Sequence, residues 1–112
     1  MEKELHIGVL LDYYKQLLTQ KQAECIDLYY NQDLSLYEIS QLLDISRQGV
    51  RDNIKRGEKQ LLEYEEILGL AEKYDEIEHY LDKTEEKLRT LKDRDAAQEL
   101  AAYTELIRKT IS

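Results

Sequence analysis

The sequence predicts an all-α protein in which a group of short helices precedes a long C-terminal helix or helical hairpin. Its 112 residues contain no proline, the residue that most often interrupts helices. Leucine, glutamate, lysine and glutamine, which all favour helices, are frequent along the chain. Apolar residues recur three and four positions apart, which is the spacing of one face of a helix.

Two packing helices are predicted in the first 30 residues. Residues 5–18 carry an apolar face of positions four apart and their neighbours: Leu5, Val9, Tyr13 and Leu17, with Leu10, Leu11, Tyr14 and Leu18. Thr19 and Gln22 form a capping box that opens a second helix through Tyr30, because each side chain can bond to the other's backbone amide. Cys25, the single cysteine, lies in the apolar pattern of this helix, so a buried core thiol is expected.

The segment after these helices has the pattern of two helices joined by a tight turn. Ser35 and Glu38 form another capping box, so a helix should begin at about Leu36. Its predicted buried stripe is Leu36, Ile39, Leu42 and Leu43. Asp44 stands where positive φ is expected, Ile45 packs into the corner, and Ser46 caps the next helix. The inward positions of that second helix are predicted to be Val50, Ile54, Gly57 and Leu61, which defines a helix-turn-helix at residues 35–62.

The outward face of the second helix has suitable chemistry for the major groove of DNA. Arginine can pair with guanine and glutamine with adenine, and the first turns of a recognition helix reach the base edges. The predicted base readers are Arg47, Gln48, Arg51 and Lys55. The predicted phosphate contacts are Ser46, Arg56 and Lys59. The alternative is that these side chains only solvate an exposed helix face.

The remainder of the chain is predicted to form a helical hairpin. The recognition helix should end near Leu68 with Gly69 as its stop, which divides the chain into a helical domain at 1–68 and a C-terminal hairpin at 69–112. A long helix over residues 70–91 has a coiled-coil seam of Ile77, Leu81, Thr84, Leu88 and Leu91. A final helix has the apolar stripe Ala96, Leu100, Tyr103 and Ile107. The hairpin can close within one chain or pair with a second chain, and we favour a homodimer.

The charge distribution limits how a nucleic acid could be bound. Of 24 acidic and 16 basic side chains, residues 35–62 carry four and five, a net charge of +1, whereas residues 1–34 and 63–112 carry net charges of −3 and −6. The basic segment is therefore local, and the whole molecule would be repelled by a polyanion at long range. A dimer would offset this repulsion by presenting two linked recognition helices.

Other functional classes lack the residues they require. His6 and His79 do not stand at metal-ligand spacing, and the chain has neither a glycine-rich phosphate loop nor a nucleophile motif, so we predict no enzyme, metal or cofactor. No window has the roughly 20 apolar residues of a membrane span, so we expect a cytoplasmic protein without a membrane partner. The tyrosines are expected to be mostly core residues, among them Tyr13, Tyr14, Tyr29, Tyr30 and Tyr37.

These motifs resemble two known groups of proteins. The segment from Leu18 to Leu62 resembles the last DNA-binding region of bacterial sigma factors, in which a Leu-Thr pair and a glutamine-rich turn precede a three-helix module. The whole chain is similar to the YlxM family of small bacterial helix-turn-helix proteins, and the similarity extends beyond the motif through DNIKRGEKQLLEYEEILGL. In that family the gene lies beside those of the signal recognition particle. The resemblance therefore implies a regulator, or an accessory, of that targeting pathway.

Two functions from different classes remain open at this point. The first is a sequence-specific DNA-binding regulator that acts as a dimer. The second is an adaptor that uses the motif as a scaffold and binds a component of the signal recognition particle, either its RNA or its GTPase, through the basic helix or the acidic hairpin. A short basic helix can lie against either phosphate backbone, so the sequence does not separate DNA from structured RNA.

Overall fold

The computed structural model describes Lys3 and residues 6–112, and these residues form six α-helices and no strand. The helices are α1 Ile7–Tyr14, α2 Gln20–Ile26, α3 Leu36–Leu43, α4 Arg47–Leu68, α5 Leu70–Leu88 and α6 Arg94–Ile111. A short 3-10 helix, Lys15–Leu17, follows α1, and a π-helical turn, Asp27–Asn31, follows α2. The chain divides into two compact units, Met1–Ala71 and Glu72–Ser112. The all-α prediction is confirmed, and no helix among the described residues is both long and apolar enough to span a bilayer.

The core of the first unit consists of two adjoining clusters in which α4 takes part. One cluster joins α1, α2 and α4 and contains Ile7, Leu10, Leu11, Tyr14, Ile26 and Leu61. The other joins α2, the π-helical turn, α3 and α4 and contains Cys25, Tyr29, Ile39, Val50 and Ile54. Cys25 is fully buried, as predicted, and this burial raises the pKa of its thiol. The thiol is therefore a packing group beneath the helix-turn-helix.

The predicted face of α1 is partly wrong. Val9 and Leu17 are each 53% exposed, whereas Leu10, Leu11 and Tyr14 are buried as predicted. Positions four apart advance by about 40° per step around a helix, so a long series of them cannot face one core. Ile7, which that series omitted, is fully buried. Leu5 lies outside the described residues.

Tyr14 connects the end of α4 and the start of α5 to α1. Its hydroxyl donates to Glu65 Oε1 at 2.6 Å and accepts from the amide of Leu70 at 3.0 Å. The amide of Ala71 donates to the same carboxylate oxygen at 3.1 Å. Burial, followed by the hydrogen bond to Glu65, raises the pKa of Tyr14 above its ordinary value.

The predicted stripe of α3 needs one correction. Both predicted capping boxes are present, and α3 begins at Leu36. Ile39 is fully buried, but Leu42 is 64% exposed and Ser40 is buried instead. Around the helix axis, Leu42 lies about 60° to one side of Ile39. Leu36 and Leu43 lie about 40–60° to the other side of Ile39, and that side packs against the buried cluster of α2 and α4. The Ser40 hydroxyl tolerates burial because it donates to the carbonyl of Tyr37.

The second unit is an antiparallel hairpin formed within one chain. Arg94, at the start of α6, donates to the carbonyl of Leu88, the last residue of α5, and to that of Leu91 in the turn that follows. Near the end of α6, Arg108 pairs with three carboxylates of α5, those of Glu78, Asp82 and Glu85. The two ends of α6 are thereby attached to opposite parts of α5.

The hairpin does not use the predicted apolar stripes as expected. Its buried residues are Leu81, Leu88, Ala97 and Thr104. The predicted stripe of α6 is not the side that packs on α5, since Ala96 is half-buried and the others are exposed: Leu100, Tyr103 and Ile107. Each buried position of α6 follows a stripe position by one residue, a rotation of about 100°. In α5 the predicted seam is half right, because Leu81 and Leu88 are buried while Thr84 and Leu91 are exposed.

Candidate nucleic-acid interface

The turn between α3 and α4 has the geometry that its residues predict. Asp44 adopts the left-handed conformation, with φ of 56°, at the end of α3. The amide of Ile45 then donates to the carbonyl of Ser40 at 3.2 Å. Ser46 caps α4, since its hydroxyl oxygen accepts from the amide of Gly49 at 2.9 Å. These local bonds determine where α4 begins and which way its first turn points.

The inward side of α4 holds the helix against the rest of the first unit. Val50, Ile54, Gly57 and Leu61 are all buried, as predicted. Gly57 is the point of closest approach to α2, because a Cβ at this position would overlap Cδ1 of Ile26. The packing of α2 therefore determines how α4 is rotated and which of its residues face outward.

The outward side of α4 carries the predicted binding residues. All seven of them are exposed: Ser46, Arg47, Gln48, Arg51, Lys55, Arg56 and Lys59. At about 100° per residue, Gln48, Lys55 and Lys59 share one narrow arc opposite the buried side. Arg47 and Arg51 lie on the flank of this arc, and Arg56 lies on the other flank. The structure thus brings the predicted residues together on one helix surface about three turns long.

Tyr37 is part of this surface, although the sequence placed it in the core. The side chain is 53% exposed, and the Arg47 guanidinium lies 5.2 Å from the centre of its ring. A cation stacked on an aromatic ring is attracted by about 0.5–1 kcal/mol at an exposed site, which favours one orientation of the arginine. Tyr37 is therefore positioned to orient Arg47. Sequence reasoning missed this role because spacing alone does not show which side of α3 meets the start of α4.

Asp52 is a second residue that the predicted set omitted. It lies in the same arc as Gln48 and accepts a hydrogen bond from Gln48 Nε2 at 2.9 Å. A carboxylate can only accept, so this bond determines which end of the Gln48 amide faces Asp52. Gln48 retains its carbonyl oxygen and one N–H for an external partner. The i, i+4 spacing of the two residues was the signal that could have shown this pair.

The cations of α4 differ electrostatically from Arg108 of the hairpin. Among the described residues, no hydrogen bond or ion pair engages the side chains of Arg51, Lys55, Arg56 and Lys59. Arg108, in contrast, is 24% exposed and is neutralised by three carboxylates. The positive charge of α4 is therefore available to an external anion, whereas that of Arg108 is used within the fold.

Comparison with known proteins gives a consistent family. The family described as "Putative helix-turn-helix protein, YlxM / p13 like", UPF0122, matches residues 1–103. A UPF0122 protein from Thermoanaerobacter sp. (strain X514) is 44% identical over 107 residues, which cover 96% of this chain and 92% of the relative. A UPF0122 protein from Clostridium novyi (strain NT) is 52% identical over 77 residues, covering 69% and 67%. One from Bacillus cereus (strain AH187) is 53% identical over 76 residues, covering 68% and 69%.

Proposed function

The chain belongs to the UPF0122 family of YlxM/p13-like helix-turn-helix proteins, and from this premise we propose that it is a DNA-binding regulator of transcription. In this proposal α4 is the recognition helix and lies in the major groove, as in the sigma-factor-like modules that the sequence resembles. The function follows from the surface of α4 and not from the fold alone, because helix-turn-helix units also serve as scaffolds.

The observation that carries the proposal is the group of unpaired cations on the outward side of α4. They lie on a helix that is anchored by its buried side and capped at its start by Ser46. A rigid helix loses little conformational entropy when it binds, so its cations can be used for contact with phosphates and bases. In the proposal Arg47, Gln48, Arg51 and Lys55 reach base edges, while Ser46, Arg56 and Lys59 bind phosphates.

We also propose that the protein binds DNA as a homodimer. The chain carries a net charge of −8, so one recognition helix would have to overcome the long-range repulsion of a polyanion. Two linked recognition helices raise the effective concentration of the second helix without any new kind of contact. Their operator would then consist of two half-sites related by twofold symmetry.

The test is selection of fragments from a pool of the organism's own genomic DNA, at low and near-physiological salt, followed by measurement on the selected site. Replacing Arg51 with alanine should weaken specific binding by about 1–3 kcal/mol and relax the preference at one base position. Arg89→Ala is the matched control, because it removes the same charge from an exposed position of the second unit. Equal affinities for the parent protein and Arg51→Ala would refute the groove-reading role.

The same experiment also tests the alternative function, that of an adaptor for the signal recognition particle. The unpaired cations of α4 would also suit the phosphates of a structured RNA, which a protein recognises mostly by shape and backbone contacts. The particle's RNA is therefore present as a competitor. Binding captured by this RNA, with no preference among DNA fragments, would replace the proposed regulator with the adaptor.

A further inference from the structure

The α5–α6 hairpin has an open apolar face. Its members on α6 are Leu100, Tyr103 and Ile107, which are 44%, 52% and 44% exposed. The members contributed by α5 and the turn after it are Tyr80, which is 60% exposed, and Leu91, which is 40% exposed. Contiguous apolar surface of this kind marks an interaction site in a soluble protein.

These residues lie on one side of the hairpin because of its antiparallel geometry. Tyr80 directly precedes the buried Leu81 in α5, and Tyr103 directly precedes the buried Thr104 in α6. Each exposed position is thus rotated by about 100° from the line along which α5 and α6 touch, in the same sense relative to the chain direction of each helix. In two antiparallel helices, equal rotations of the same sense lead to the same side of the pair. We call this side the apolar face, and its residues are Ile77, Tyr80, Leu91, Leu100, Tyr103 and Ile107.

Two hydroxyls on the apolar face, those of Thr84 and Tyr103, already donate hydrogen bonds within the hairpin. Thr84 lies between its apolar members, and its hydroxyl donates to the carbonyl of Tyr80 at 2.7 Å. The hydroxyl of Tyr103 donates to Glu99 Oε1 at 3.0 Å. Covering the face would therefore leave neither hydroxyl donor unpaired, which removes the main cost of burying such groups.

We propose that the apolar face is the dimer interface and that the same face of a second copy covers it. The two edges of the face carry opposite charge. The edge on α5 has a net charge of +2, from Lys73, Glu76, Lys83 and Lys87, and the edge on α6 has a charge of −1, from Glu99. A twofold axis parallel to the helices places α5 of one copy against α6 of the other, so each positive edge meets a negative edge.

The size of the apolar face agrees with a dimer. The exposed fractions correspond to about 450 Å² of apolar surface on each copy, taking roughly 200 Å² for a large side chain. Two copies would bury about 900 Å² before the charged edges are included, and the edges raise this above the roughly 1,000 Å² expected of a biological interface. The result would be a four-helix bundle, in which short amphipathic helices cover one another's apolar sides.

The first test is the molar mass of the full chain in solution, measured by light scattering and sedimentation from about 1 to 100 μM without nucleic acid. The expected mass is twice 13.3 kDa. Leu100→Glu and Ile107→Glu should each raise the dimer Kd at least about a hundredfold, because symmetry places every new charge in the interface twice. Ala102→Glu is the matched control, since Ala102 is exposed on the same helix and lies at least about 100° around it from every member of the apolar face. Far-UV circular dichroism verifies that every variant stays helical.

The second test is a charge exchange across the proposed interface. Lys87→Glu and Glu99→Lys should each weaken the dimer about tenfold, and the double variant should restore the Kd to within about threefold of the parent. A parent protein that is monomeric at 100 μM would overturn the proposal. Dissociation by Ala102→Glu as strong as that by Leu100→Glu, or no recovery in the double variant, would also overturn it. The interface deepens the proposed dimeric regulator, and because these tests contain no DNA, its failure is separate from failure of DNA binding.

Discussion

Gly57 offers a direct test of how α4 is positioned. At an ordinary interior helix position, replacing glycine with alanine stabilises a protein by about 1 kcal/mol. At Gly57 the added methyl group would overlap Cδ1 of Ile26, which is fully buried. Overpacking of this kind costs about 1–3 kcal/mol. After the propensity gain is subtracted, Gly57→Ala should destabilise the first unit by up to roughly 2 kcal/mol.

A second substitution separates the overlap from other causes. Ile26→Val removes Cδ1 and should by itself cost about 0.5–1.5 kcal/mol. The next atoms that the new methyl group meets are Ile26 Cγ1 at 3.4 Å and Gln22 Cβ at 3.5 Å, which are ordinary contacts. The double variant should therefore regain the helix propensity of alanine. Its stability should match or exceed that of Ile26→Val alone.

The assay is urea unfolding of the four proteins, followed by tyrosine fluorescence and far-UV circular dichroism. Six of the nine tyrosines lie in residues 1–71, so fluorescence reports mainly on the first unit. The expected coupling between the two substitutions is about 2 kcal/mol in favour of the double variant. A Gly57→Ala protein more stable than the parent, with additive effects in the double variant, would refute the close approach of α4 and α2.

Two further predictions concern charged and ionisable groups. Arg108→Met should destabilise the hairpin by about 1–2 kcal/mol, because three carboxylates of α5 lose their cation. This value already allows for the partial exposure of the groups. Urea unfolding at pH 7 and pH 3 measures the loss of stability, and a loss equally large at pH 3 would contradict the electrostatic origin. The pKa of Tyr14 is raised above 10.0 in the folded state, so the stability that its protonated form contributes is complete below about pH 10 and is lost as the pH rises through the folded value. The unfolding midpoint of the parent should therefore fall more steeply between pH 9 and pH 11.5 than that of Tyr14→Phe, and parallel pH profiles would contradict this assignment.

The features that the sequence alone predicted are those set by residues close together in the chain. The capping box of Ser35 and Glu38, the left-handed Asp44 and the stop at Gly69 are all present where expected. Each depends on hydrogen bonds or backbone conformations within about four residues, which do not require a distant partner. The buried side of α4 was also predictable, because its apolar residues occupy one narrow stripe between many charged ones.

The choice among several apolar sides of a helix was decided only by tertiary packing. In α1, α3 and α6 the apolar residues extend over much of the circumference, so periodicity alone does not choose the buried side. Val9 and Leu42 were expected inside and are exposed, and Leu100 lies outside the contact between α5 and α6. Tyr37 was expected in the core and lies under Arg47. A helix buries whichever side its neighbours can cover, and those neighbours come from distant parts of the chain. The sequence therefore determined the caps and the turn of the helix-turn-helix, and packing determined which face of a helix remains open for a partner. Packing also moved several helix ends, since α1 ends at Tyr14, α2 at Ile26 and α5 at Leu88, each earlier than predicted.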